Sequence, residues 1–145
     1  MRRKISFLVG IGVVALFGAA WFAFHHRSNL EWMQRTTSVR LPPGVKVLSI
    51  YDNGEYLLRG HVLLPADTVT SFLQRFGFKP TDSGEQREAG RKDALDSRFM
   101  EIAQDADLFR LVGRAEKQTW SLIVDRKSGD LWFTVQYPDL AGDAP

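Results

Sequence analysis

The chain has no cysteine. That excludes disulfide staples, thiolate metal sites, a cysteine nucleophile and the lipid-modified cysteine of a bacterial lipoprotein, so any membrane tether has to be a hydrophobic helix. Histidine is nearly as scarce, with three in 145 residues. Two of these, His25 and His26, are adjacent, and neighbours on a helix point in different directions. There is no Gly-rich phosphate loop, and no Gly-x-Ser-x-Gly elbow between a strand and a helix. Asp105-x-Asp107 and the segment from Asp125 to Asp130 offer fewer oxygens than a calcium loop needs and read as turn aspartates. These absences lead to the expectation of a non-enzymatic protein with no cofactor and no metal.

The net charge of +2 hides an uneven distribution. Arg2, Arg3, Lys4, Arg27, Arg35 and Arg40 precede Val45 against Glu31 alone, whereas from Val45 onward 13 basic residues face 16 acidic ones, a net −3. Binding nucleic acid through its phosphates needs a clustered basic surface. Here the basic residues flank an apolar run instead, so no nucleic-acid partner is expected and the basic pI is a topology signal.

Residues 5–24 form that run and carry no charge. Twenty helical residues span roughly 30 Å of hydrocarbon, and glycines such as Gly10, Gly12 and Gly18 are tolerated in lipid. Arg2, Arg3 and Lys4 at the near end hold the N-terminus in the cytoplasm. The reading is a signal anchor in a bacterial inner membrane, with residues 1–4 as a cytoplasmic basic tail and the rest of the chain in the periplasm. The alternative is a signal peptide cleaved near Ala20, where Gly18 and Ala20 supply small residues. Both place the following domain outside the cytoplasm.

Residues 25–44 read as a polar juxtamembrane linker ended by Leu41-Pro42-Pro43-Gly44. Residues 45–138 read as one α+β domain, and 139–145 as a frayed tail. Within the domain, residues 45–51 and 56–64 alternate like strands around Asp52-Asn53-Gly54-Glu55, where Asn-Gly favours a two-residue turn. That turn predicts Ile50 opposite Leu57, Leu48 opposite Arg59 and Lys46 opposite His61 on one face, and Tyr51 opposite Tyr56, Ser49 opposite Leu58 and Val45 opposite Val62 on the other, the core face that the following helix should cover. Residues 65–76 follow with Val69, Phe72, Leu73 and Phe76 at helical spacing and Gly77 as C-terminal cap. Residues 80–97 are polar and charged, and residues 93–104 are read as a second helix. Strands follow at 108–114, 119–125 and 131–137, the last two joined by Arg126-Lys127-Ser128-Gly129. The order ββα-linker-βββ predicts a small two-layer domain, an antiparallel sheet of about five strands with one or two packed helices.

The predicted register leaves Leu48, Ile50, Leu57, Leu63, Ile123 and Trp132 on the sheet face away from the helix. If uncovered, that is a larger apolar patch than soluble monomers usually expose. Trp132, Ile123, Ile50 and Leu57 would form its centre, with Arg59 and His61 as a polar rim. No carboxylate lies near His61 in sequence to orient it as a base. The functional expectation is a membrane-tethered protein-binding module with a protein partner, on the scale of an envelope assembly component or an immunity-type inhibitor of a toxin. The second reading is a small-ligand or cell-wall sensor with a cleft between helix and sheet, near Phe72, Phe76 and Phe133.

Overall fold

The computed structural model describes residues 28–54, 57–82, 103, 105–115 and 117–136. The chain divides into two compact units, Met1–Trp32 and Met33–Pro145. Only residues 28–32 of the first are described, so the apolar run at 5–24, His25, His26 and the tail at 139–145 lie outside the described residues. Among the described residues no helix is long and apolar enough to cross a membrane.

The second unit is α+β. Six strands, β1 (Lys46–Asp52), β2 (Leu57–Leu63), β3 (Lys79–Pro80), β4 (Leu108–Ala115), β5 (Gln118–Asp125) and β6 (Asp130–Gln136), form one sheet in the order β1-β2-β6-β5-β4-β3. Every neighbouring pair is antiparallel. Helix α1 covers residues 28–37, and α2 (Val69–Phe76) joins β2 to β3. The sheet therefore has one strand more than predicted. Two residues are too few to show a period in sequence, and β3 exists because Lys79 and Pro80 pair with Arg110 and Phe109.

The β5–β6 hairpin has the predicted register: Val124 lies opposite Leu131, Ile123 opposite Trp132, Leu122 opposite Phe133 and Trp120 opposite Val135. Its turn is fixed locally. The Asp125 carboxylate accepts hydrogen bonds from the Lys127 amide (3.0 Å) and the Ser128 hydroxyl (3.1 Å), and the Gly129 amide donates to the Asp125 carbonyl (2.9 Å). Gly129 closes the turn at φ 81°, which favours a residue without Cβ.

The first hairpin departs from its predicted register. Asp52 lies opposite Leu58, Tyr51 opposite Arg59, Ile50 opposite Gly60 and Ser49 opposite His61, with an irregularity between Val47 and Ser49. Asn53 explains the wider loop. Its side-chain oxygen accepts from the Leu57 amide (2.9 Å), its own amide donates to the Leu57 carbonyl (3.1 Å), and Asp52 Oδ1 accepts from the Gly54 amide (2.8 Å). Side-chain hydrogen bonds of this kind offer the backbone an alternative to the tight turn. The offset from the expected pairing is an odd number of residues, so it reverses which β1 side chains share a face with those of β2. Beyond Ser49 the irregularity shifts the pairing again, and Val47 lies opposite Val62.

The principal core lies on one side of the sheet: Leu58, Val62, Leu122, Val124, Leu131, Phe133 and Val135 are all buried to 2% exposure or less. Tyr51, expected in that core, is 53% exposed and shares the opposite face with Arg59 and His61. Helix α2 buries Val69, Phe72 and Leu73 and ends at Gly77 in the left-handed conformation. It is shorter than predicted because residues 65–68 form a turn in which the Thr68 amide and hydroxyl both donate to the Pro65 carbonyl. The stretch expected to be a linker at 25–44 is partly helix. Met33, Thr37 and Val39 are buried, with the Thr37 hydroxyl donating to the Met33 carbonyl (2.9 Å), so the compact unit begins at Met33 rather than near Val45. The helix predicted at 93–104 lies almost wholly outside the described residues, and Ala103 is not helical.

Candidate docking surface

Strand pairing assigns each of the six predicted patch residues to a face. Trp132, Ile123, Leu57, Arg59 and His61 share the face opposite the principal core, because Ile123 pairs with Trp132, His61 with Trp132, and Arg59 with Thr134. Ile50 does not belong with them. Opposite Gly60, it lies on the same side as Leu58 and Val62, half-buried at the margin of the principal core.

The remaining five form no open patch. Trp132 is 4% exposed and Ile123 7%, and with Leu108 they make a second buried cluster against which Ala106 packs. No side chain of α2 belongs to that cluster. Leu57 is 4% exposed and Arg59 6%, so the guanidinium is not part of a solvated rim. The sequence could not show this, because alternation along a strand tells which side chains share a face and not whether that face is covered.

His61 is the polar edge of this cluster, and the carboxylate that its sequence neighbours do not supply comes from another strand, β6. Its Nε2 lies 2.8 Å from Asp130 Oδ1, with each side chain about a quarter exposed, and its ring stacks on Trp132 at 5.0 Å between centroids and 20° between planes. The two residues are 69 apart in sequence. They meet because β2 pairs with β6 in a register that sets Leu63 opposite Asp130 and His61 opposite Trp132. The pair therefore depends on the strand order, which no local pattern reveals. Chemically it holds an imidazole in one plane, with one nitrogen on a carboxylate and one ring face on an indole.

The aspartates that superficially suggested a cation loop are occupied by the chain itself. Asp125 is 5% exposed and receives the Asp107 amide (3.1 Å) as well as its own turn. Asp107 pairs with Arg126 at 2.6 Å and Asp105 with Lys127 at 3.1 Å. Lys127 holds the Asp105 carboxyl below its ordinary pKa, first by hydrogen bonding and then by charge. Among the described residues no group of three or more histidines and carboxylates is placed to hold a metal ion.

The exposed large apolar side chains among the described residues are Leu48 (44%), Tyr51 (53%) and Val112 (56%). Two of the three lie on β1. Among the described residues that strand is an outer strand of the sheet, hydrogen-bonded to β2 on one side only, and five of its seven residues are exposed. It is seven residues long against two for β3 at the other edge. The sequence signal was the Leu48 and Tyr51 pair, which the expected register had assigned partly to the core. Comparison of the chain with family models, with curated proteins and with solved structures returns no match.

Proposed function

We propose that this protein is a membrane-tethered, extracytoplasmic protein-binding module, anchored by residues 5–24, whose docking surface is the β1 edge and not the Trp132 face. The observation that carries the reading is β1 as the long outer strand among the described residues, with Leu48 and Tyr51 exposed on it. An unpaired strand edge offers a row of backbone donors and acceptors, and exposed side chains beside it supply selectivity. The uncharged run at 5–24 behind Arg2, Arg3 and Lys4 supports the tether and its orientation. The small-ligand alternative needs a cleft at Phe72, Phe76 and Phe133. There Phe72 packs on Phe76 and Phe78 at 5.1 and 5.5 Å between centroids, and Phe72 and Phe133 are 4% and 1% exposed, so no observation favours it.

The test is photo-crosslinking in the cell from a reactive residue at Tyr51, with the exposed α2 residue Gln74 as control. The expected result is one discrete protein adduct from position 51 and none from position 74. Equal labelling from the two positions, or adducts to lipid alone, overturns the reading.

A further inference from the structure

We infer that the sheet face at β3 and β4 docks on the headgroups of an anionic phospholipid surface through Lys79, Arg110, Val112 and Arg114. The inference rests on the tethered reading above and adds a second contact between the domain and its membrane. Lys79 lies directly opposite Arg110, and Arg110, Val112 and Arg114 alternate along β4, so all four side chains belong to one face. All four are exposed, Val112 to 56%. Like charges set opposite each other on neighbouring strands cost free energy. Among the described residues none of the three cations forms an ion pair. On the same face Asp125 is bonded to its own turn and Asp130 to His61, so neither offsets them. The patch is thus a local excess of positive charge on a stretch of chain that is net negative from Val45 onward.

The geometry selects a surface over a single small anion. Arg110 and Arg114 are four residues apart on a strand, roughly 13 Å, too far for one phosphate to bridge. Val112 between them lies opposite Ser121, Arg114 lies opposite Thr119, and Arg110 Nε donates to the Ser121 hydroxyl at 3.2 Å. Cations flanking an exposed aliphatic side chain, with hydroxyls beside them, match the boundary between lipid headgroups and acyl chains. There the charges meet phosphates and the valine leaves water. A nucleic-acid backbone would satisfy the cations and leave Val112 solvated. An edge blunted against aggregation would carry the charges without the exposed valine. A tether also keeps the domain beside the bilayer, so a few cations, each strengthening the contact about fivefold, are enough to hold the face down. Strand β1 is four strand spacings from β4, roughly 19 Å, so docking through β4 does not occlude it.

The absence of native cysteine allows a single labelled site. Full-length chain carrying Val112→Cys or Gln74→Cys is labelled with a nitroxide and reconstituted into vesicles of phosphatidylcholine, alone or with about 30% phosphatidylglycerol. Access of a water-soluble relaxation agent, present on both sides of the bilayer, is then measured. The expected result is that access at position 112 falls about fivefold in the anionic vesicles and not in the neutral ones, while position 74 is unchanged in both. High salt, or Lys79→Glu together with Arg114→Glu, removes the protection. Equal access at position 112 in the two lipids, or protection that survives the double charge reversal, overturns the inference. Neither outcome touches the β1 reading, which the crosslink from position 51 tests separately. If alkali strips the chain from the vesicles, the tether is refuted. Flotation of the stripped chain with anionic but not neutral vesicles then supports the lipid contact by itself, and no flotation overturns it.

Discussion

Single residues in this domain act mainly by leaving room or by neutralising a neighbour. Gly60 sits in the middle of β2, where its own propensity is poor, because the ring of Phe133 from β6 occupies the space a Cβ would fill. Gly60→Ala is expected to destabilise by about 1–3 kcal/mol as an overpacked core position, measured by denaturant unfolding. Pairing it with Phe133→Leu should recover part of that loss, whereas an effect of backbone propensity alone would be unchanged by the second substitution. At the surface, Lys127 keeps the Asp105 carboxyl below its ordinary pKa. A depressed carboxylate contributes stability above its unfolded value and loses it as pH falls through its folded value. Lys127→Gln should therefore raise the Asp105 titration to the ordinary aspartate range, read by carboxyl NMR. The contribution is small, because the Asp105 side chain is 82% exposed.

At the level of elements, the two hairpins show why one register was legible and the other was not. In β5–β6 the apolar pattern on both strands and the four-residue turn agree, and Asp125 enforces the turn from within. The same carboxylate receives the Asp107 amide just before β4, so one buried side chain ties the hairpin turn to the start of the next strand. Asp125→Ala leaves two backbone amides without their acceptor and should cost about 2–3 kcal/mol in denaturant unfolding, with Asp125→Asn losing less. In β1–β2 the Asn-Gly pair promised a tight turn, but Asp52 and Asn53 bond to the loop backbone and widen it. The side-chain period of a strand is two, so an odd offset moved Tyr51 from the expected core to solvent and Ile50 from the expected patch to the principal core side. Helix α2 lies between these cases: its apolar spacing and Gly77 cap were plain, and its start was late because Thr68 closes a turn on Pro65.

Over the whole molecule, local pattern determined the class of the protein and tertiary pairing decided its surfaces. The sequence alone showed an uncharged run behind a basic start, an α+β order, the five longer strands to within a residue at each end, and the α2 stripe. Those follow from periodicity, charge and turn chemistry, which act over a few neighbouring residues. The central pairing of β2 with β6 brings together residues some seventy apart and has no local signature. It makes His61, Asp130 and Trp132 a stacked, hydrogen-bonded group, buries Arg59 on the same face, and leaves β1, among the described residues, as the long outer strand. The sequence thus determined which side chains were available to bury or to bind, because alternation and composition are local properties. Only the tertiary structure decided which face is covered and which strand lies outermost among the described residues, because coverage depends on what the rest of the chain packs against.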